Sequence, residues 1–216
     1  VEVPLPEYSS SYPVEHIDFD SQGNIFLGTI NGVYRSIDLG ESWQKMNSSL
    51  GGVHVSTMYI DEHDHLYVYT TYSASTDGLY RSINSAQSWE SIPMTNLGYY
   101  VLDIITLDQT MYVIDGSNNI RISGNMGESW EYINNGINDN SLLNLYMDID
   151  DYLYVGGRHL HRSSQDISGN TAGDLNTDGI INILDVIEMV SIILENSAYN
   201  ELADINSDGM INVVDV

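Results

Sequence analysis

The feature that most restricts the fold is an internal repeat. The segments Asn24-Ile-Phe-Leu-Gly28, His65-Leu-Tyr-Val-Tyr69, Thr110-Met-Tyr-Val-Ile114 and Asp151-Tyr-Leu-Tyr-Val155 align, and their aromatic markers Phe26, Tyr67, Tyr112 and Tyr154 stand 41, 45 and 42 residues apart. A period of this length means one supersecondary unit used several times, each burying its apolar side against a neighbour. Before each marker lies a short apolar or alternating stretch (Ile17–Asp20, Met58–Asp61, Ile104–Asp108, Leu145–Ile149). After each comes another (Gly32–Ser36, Gly78–Ser82, Asn119–Ser123, His159–Ser163). Gly, Asn and Asp separate these stretches, so they read as strands joined by tight turns. In the first three units a fourth strand opens at Trp43, Trp89 or Trp130, which makes the unit a four-stranded meander.

The turn before each tryptophan is itself repeated: Ser36-Ile-Asp-Leu-Gly-Glu-Ser-Trp43, Ser82-Ile-Asn-Ser-Ala-Gln-Ser-Trp89 and Ser123-Gly-Asn-Met-Gly-Glu-Ser-Trp130. These octapeptides resemble the Asp-box, S-x-D-x-G-x-x-W, of the sialidase-like (BNR) repeat found in sialidases, xyloglucanases and sortilin-type receptors. In such a turn Asp or Asn bonds nearby backbone N–H groups, Gly permits positive φ, and Trp packs the turn onto the sheet. Asn84 and Ala86 depart from the pattern in the second copy and Asn125 in the third. The resemblance and the period together imply β-propeller blades, near residues 14–50, 53–97, 100–137 and 142–164, within a segment spanning 1–164. Enzymes, receptors and assembly factors share this architecture, so it carries no reaction by itself.

After the fourth unit the composition changes. Residues 165–173 read as a polar linker, and beyond it the apolar spacing becomes helical over Ile183–Leu194. Two twelve-residue loops follow the calcium-binding EF-hand pattern, 174–185 and 204–215. The first offers Asp174, Asn176, Asp178, Asn182 and Asp185 at positions 1, 3, 5, 9 and 12, with Gly179 at the sharp turn and the Ile180 carbonyl at position 7. The second offers Asp204, Asn206, Asp208, Asn212 and Asp215, with the Met210 carbonyl at position 7. Calcium takes six to eight oxygens in a flexible shell, and six carboxylates gathered in so short a segment repel one another unless a cation lies between them. Two calcium sites are expected.

Asp rather than Glu at position 12, no helix ahead of the first loop and a duplication within about 45 residues resemble dockerin type I modules, over residues 174–216. The resemblance implies docking to a cohesin-type protein partner, typically one that joins an enzyme or binding protein to a scaffold. It places the protein outside the cell or at its surface, in polysaccharide breakdown. The residues supply an independent reason to expect a partner. From Ile183 to Leu194 only Asp185, Glu188 and Ser191 are polar, so the helix is apolar on most of its circumference and needs cover on more than one side. Positions 10 and 11, Ile183-Leu184 and Val213-Val214, lack the hydroxyls frequent in the family.

Charge narrows the partners further. The chain carries 6 Lys and Arg against 31 Asp and Glu, a formal net charge of -25, which argues against nucleic acid and anionic membranes. Polysaccharide is a second candidate ligand, for the propeller. No apolar run approaches the ~18 residues of a membrane span, and the absence of cysteine removes disulfides and thiolate metal sites.

No catalytic residue is assigned. A sialidase needs an arginine cluster, yet Arg35, Arg81 and Arg162 recur at one repeat position, which suits a structural role. Asp20, Asp61, Asp108 and Asp150 lie at strand ends or turns, and none forms an evident glycosidase pair. His63/His65 and His159/His161 are spaced to share one face of an extended strand, as zinc ligands can be, with no third ligand evident. The rival to a docking protein is a fragment of a xyloglucanase- or sialidase-like glycoside hydrolase carrying a dockerin.

The ends align with the interiors of the repeats. Val1-Glu-Val-Pro4 matches Glu90-Ser-Ile-Pro93, the residues after Trp89, and Asp204–Val216 matches Asp174–Val186 without the helix that follows the first copy. The chain therefore reads as a fragment at both ends, an open arc of a larger ring with the second helix of its C-terminal module missing. The alternative is that Val1–Pro4 closes a four-bladed ring as the fourth strand of the last blade.

Overall fold

The computed structural model describes residues 3, 5, 13–50, 54–71, 77–97, 100–134, 137, 139, 141–164, 167, 173, 175, 183–195, 201–206, 209–212 and 215. They divide into two compact units, Val1–Tyr146 with Val155–His161, and Met147–Tyr154 with Arg162–Val216.

The fold is mainly β, with four sheets in the blade arrangement that the repeat implied. The first contains β1 (Val14–Phe19), β2 (Ile25–Thr29), β3 (Gly32–Ser36) and β4 (Gln44–Lys45), adjacent in chain order. The second contains β5 (His54–Ile60), β6 (Leu66–Thr71), β7 (Gly78–Ser82) and β8 (Glu90–Ile92). The third contains β9 (Val101–Leu107), β10 (Thr110–Asp115), β11 (Ile120–Ser123) and β12 (Glu131–Tyr132). Neighbouring strands in these three sheets are antiparallel, and the aromatic markers stay in register: Phe26 faces Arg35, Tyr67 faces Arg81 and Tyr112 faces Ile122. The fourth sheet has three strands, β13 (Asn144–Met147), β14 (Leu153–Gly156) and β15 (Leu160–Arg162).

In the first unit the core lies between sheets rather than within them. Strand β6 alternates its side chains across two seams. Leu66 and Val68 join Phe26, Val33 and Met46 of the first sheet in one buried cluster, while Tyr67 and Tyr69 join Ile104, Met111 and Val113 of the third sheet in another. A strand covered on both faces needs an unbroken apolar run, which explains why the marker segments are apolar throughout instead of alternating. The innermost strands are hydrogen-bonded across each seam. Ile60 N donates to Asp18 Oδ2 at 2.9 Å, Thr57 Oγ1 to the Leu102 carbonyl at 2.9 Å, and Leu145 N to Asp103 Oδ2 at 2.7 Å. Burial pushes the Asp103 carboxyl up from its ordinary value, against the N–H groups of Leu145 and Ile104 that stabilise its anion.

The three octapeptide turns share one bonding scheme. The first serine hydroxyl accepts the N–H four residues on (Gly40 2.8 Å, Ala86 3.0 Å, Gly127 2.8 Å) and donates to the Asp or Asn two residues on (Asp38 2.7 Å, Asn84 3.0 Å, Asn125 2.9 Å). That same oxygen accepts the N–H of Ser42, Ser88 or Ser129. Only the last contact differs. The Ser42 hydroxyl donates to Asp38 Oδ2, whereas the Asn84 and Asn125 amides donate to the Ser88 and Ser129 hydroxyls, each at 2.8 Å. A serine hydroxyl both gives and receives, so Asn serves as well as Asp. The Ser42 hydroxyl and N–H, with the Ser36 hydroxyl, hold the Asp38 carboxyl down to about 2.

Each turn carries two successive residues with positive φ: Leu39 and Gly40, Ser85 and Ala86, Met126 and Gly127. A Cβ on Gly127 would lie 2.2 Å from Ile92 Cγ2, and one on Gly40 2.4 Å from Val3 Cγ1. Val3 thus occupies, at the first turn, the place that Ile92 of β8 occupies at the third. Ala86 takes the glycine's place in the second turn and is buried in the same cluster as Met46, which stands three residues after Trp43 as Ile92 does after Trp89. Gly127→Ala is expected to cost about 1–3 kcal/mol through overpacking against Ile92 and strain at φ +88°. Denaturant unfolding measures it, and a change near zero would mean that the third turn does not pack as described.

Four other turns are capped by a carboxylate that accepts the N–H groups two and four residues on: Asp20, Asp61, Asp115 and Asp148. In the third sheet this cap stands between its second and third strands, because β9 and β10 are joined by a tight turn at Asp108, where φ is 51°. Asp115 is fully buried and also pairs with Arg121 at 2.9 Å. The Arg121 guanidinium lies 3.4 Å over the Tyr132 ring.

Candidate metal centre

The second unit contains α1 (Ile183–Glu195), and Asp185 in its first turn suits the positive end of the helix dipole. Met189, on the inner face of α1, is buried with Leu175 and Ala203. Ile192, Ile193, Leu202 and Ile211 pack against them. Ala203 belongs to one 3₁₀ turn, Glu201–Ala203, whose Leu202 carbonyl accepts the Gly173 N–H at 2.8 Å. This small core brings together Leu175 of the first loop, the helix after it, the turn ahead of the second loop and Ile211 within that loop, and that convergence was not apparent from loop spacing alone.

Each loop is closed by its position-12 aspartate. Asp185, 2% exposed, accepts the N–H of Leu175 at 2.9 Å, so the end of the first loop is bonded to its start. Asp215, 3% exposed, accepts from Asn206 N at 3.3 Å and Asn212 N at 2.9 Å, and its own N–H donates to the Asn212 carbonyl at 3.1 Å. Asp204, also buried, accepts the Gly209 N–H at 2.8 Å, and Gly209 makes the sharp turn at φ +82°. Of the twelve expected ligand residues, Asp185, Asp204, Asn206, Met210, Asn212 and Asp215 fall among the described residues. Asp174, Asn176, Asp178, Ile180, Asn182 and Asp208 lie outside them.

The donor set suits a hard cation. The second loop buries its position-1 and position-12 carboxylates and bonds them to its own backbone. Residues 163–216 contain ten Asp and Glu and no Lys, Arg or His, so no basic side chain of this segment neutralises the buried carboxylates. Carboxylate and amide oxygens with one backbone carbonyl are the donors that calcium prefers, and softer metals favour nitrogen or sulfur.

The outer face of α1 is apolar as well. Val186, Ile187, Val190 and Leu194, spaced at i, i+1, i+4 and i+8, are exposed, Leu194 at 79%. The expectation of a helix needing cover on more than one side thus resolves into one face filled by the unit's own core and a second left to solvent.

The arginine and aspartate candidates each have a place in their own surroundings. Arg35 donates to the Ser85 carbonyl at 3.1 Å, Arg81 pairs with Glu90, and Arg162 lies 4.9 Å over the Tyr152 ring. Asp20 and Asp61 bond to their own turns, and Asp108 and Asp150 are exposed turn residues. Among the described residues no helix is long and apolar enough to cross a membrane.

Residues 172–216 match the family Dockerin type I domain. No curated protein matches the chain. Among solved structures, YCF48 from Cyanidioschyzon merolae superposes with a TM-score of 0.51 at 16% identity, covering 77% of this chain and 59% of its own. The Niastella koreensis GH74 enzyme gives 0.56 at 16% identity over 72% of this chain and 28% of its own. The GH74 xyloglucanase from Xanthomonas campestris gives 0.56 at 14% identity over 70% and 29%. These likenesses are of the propeller fold. The chain spans less than two thirds of the first of these proteins and less than a third of the other two.

Proposed function

We propose that this chain is an extracellular modular protein whose C-terminal dockerin-type unit, shaped by two calcium ions, attaches it to a cohesin-type partner, while the propeller serves as a binding or scaffold domain. The observation that carries this reading is the exposed apolar stripe of α1, Val186, Ile187, Val190 and Leu194, on a helix that begins inside a calcium loop. Calcium would be held by Asp174, Asn176, Asp178, the Ile180 carbonyl, Asn182 and Asp185 in the first loop. In the second it would be held by Asp204, Asn206, Asp208, the Met210 carbonyl, Asn212 and Asp215. Bound calcium supplies the charge that lets these oxygens converge. Asp185 and Asp215 orient the loop backbones, and Asp185 also fixes where α1 starts.

The three octapeptide turns act as Asp-boxes in a structural sense, since the first serine hydroxyl and the Asp or Asn side chain of each are bonded within the turn. Polysaccharide degradation is the setting suggested by the dockerin family and by the GH74 enzymes that share the propeller. A xyloglucanase- or sialidase-like glycoside hydrolase carrying a dockerin is the second reading, and release of reducing sugar from xyloglucan would support it.

Docking is tested by titrating the full chain against an immobilised type I cohesin with calcium and with chelator. Binding in calcium only is expected, and Val190→Asp should weaken it at least about tenfold, the effect of losing one central interface contact. Equal binding in chelator, or an unaffected Val190→Asp variant, would contradict the assignment of this face.

A further inference from the structure

Three side chains with metal-binding atoms meet at the edge of the fourth sheet, within the first unit. His161 lies on β15 and His159 in the bend just ahead of it, with their rings 6.2 Å apart. Asp139, twenty residues earlier and far from them in sequence, supplies the third group that the histidine pair lacked on sequence grounds. Asp139 Oδ2 stands 3.5 Å from His159 Nδ1 and 3.7 Å from His161 Nε2, and the three ligand atoms all lie within 4.8 Å of one another.

These separations exceed those of good hydrogen bonds, and His161 Nε2 is buried without a hydrogen-bond partner. They match a different geometry. Two atoms bound at about 2.0–2.2 Å to one tetrahedral ion lie roughly 3.3–3.6 Å apart, so the carboxylate and each imidazole already have nearly the spacing of shared ligands.

Asp139 is also held as a ligand needs to be held. Its side chain is 1% exposed, its Oδ1 accepts the Ser141 N–H at 2.9 Å and its Oδ2 the His159 N–H at 3.0 Å. Such outer hydrogen bonds orient a ligating carboxylate. Gly157 lets the backbone come close: a Cβ there would meet the Ser141 carbonyl oxygen at 2.6 Å and Asp139 Oδ2 at 3.1 Å. His159, with its side chain 74% exposed, leaves the cluster open to ions from solvent.

We propose that Asp139, His159 and His161 form a site for a divalent transition metal, zinc foremost, that is separate from the calcium loops and leaves a coordination position for water. The chemistry divides the two metals. Imidazole nitrogen with one carboxylate suits zinc, and the oxygen-only loops suit calcium. When bound, the ion fastens the segment ahead of β13 to the start of β15. The other histidine pair provides an internal control. The rings of His63 and His65 are 5.8 Å apart, but His65 Nδ1 is already 3.1 Å from Asp61 Oδ2, and among the described residues that pair belongs to no cluster of three ligating atoms.

The test is calorimetric titration of the full chain with zinc in buffer saturated with calcium, with the visible absorption of cobalt as a probe of tetrahedral coordination. One zinc per chain is expected. His159→Gln and His161→Gln should each weaken binding at least about tenfold, as much as the loss of an outer-shell partner costs elsewhere. The double variant should bind none, His63→Gln/His65→Gln should match the unaltered protein, and calcium binding should be the same in all. Absence of saturable zinc binding by the unaltered protein would overturn the proposal, as would an unchanged zinc isotherm in a His159→Gln/His161→Gln variant that retains its β circular-dichroism signal.

Discussion

Asp215→Ala is expected to remove one calcium from the chain, lowering the calorimetric stoichiometry from two to one and the affinity of the second loop by on the order of a hundredfold or more, since carboxylate count sets affinity in such loops. The residue has two tasks. It contributes the position-12 carboxylate, and it takes up the N–H groups of Asn206 and Asn212. Without it two donors in a nearly closed loop lose their partner, at about 1–3 kcal/mol for each that stays buried. The loss compounds with metal linkage, which is worth about 4 kcal/mol per site at a calcium concentration a thousand times Kd. Asp215→Asn keeps the volume and one oxygen and should fall between. A stoichiometry of two in Asp215→Ala would show that position 12 of the second loop is not a ligand.

Trp130→Ala should produce the largest loss in the propeller, about 3–5 kcal/mol. At roughly 2–4 °C per kcal/mol for a chain of this size, the Tm should drop on the order of 10 °C. The ring is 7% exposed and belongs to the seam cluster with Ile92, Leu97 and Ile104, and its Nε1 donates to the Pro93 carbonyl at 3.1 Å. The substitution opens a cavity between the second and third sheets and leaves a seam carbonyl without its donor. Trp89 stands in the same relation to the first seam, with Nε1 2.7 Å from the Met46 carbonyl. A loss under about 1 kcal/mol would mean that the tryptophans decorate their turns and do not join blades. An activity lost in a Trp130→Ala protein that remains folded would give the turn a chemical role.

The strand repeat was legible because both sides of each marker strand are buried, so Phe26, Tyr67 and Tyr112 sit inside apolar runs that survive as a period. The loops at the C-terminus were legible for a related reason: calcium dictates oxygen donors at fixed offsets, and Asp204, Asn206, Asn212 and Asp215 are drawn together by backbone bonds that follow from those offsets. What spacing could not show depends on contacts between distant residues. Asp139 is brought to His159 and His161 by the path of the chain before β13, and nothing local to Asp139 marks it as a ligand. Asp108 aligns with Asp20 and Asp61 and does lie in a turn, the tight one between β9 and β10, but the carboxylate that caps a turn in that sheet is Asp115 in the next connection. Ala86 departs from the turn pattern yet keeps its hydrogen bond to Ser82, and Met46, which shares its buried cluster, lies forty positions earlier on another blade. The apolar circumference of α1 was plain in the sequence. Which half would be covered by Leu175, Ala203 and Ile211 depended on packing across both loops.

Hydrogen exchange of the full chain with and without calcium tests the central claim most directly, because it reads α1 and the blades separately in one sample. If calcium shapes the docking unit, the backbone amides of 183–195 exchange slowly in calcium and approach unfolded-chain rates in chelator, while those of the first three sheets keep the same protection in both. Equal protection of 183–195 in calcium and in chelator would show that the helix forms without the metal and would contradict the account.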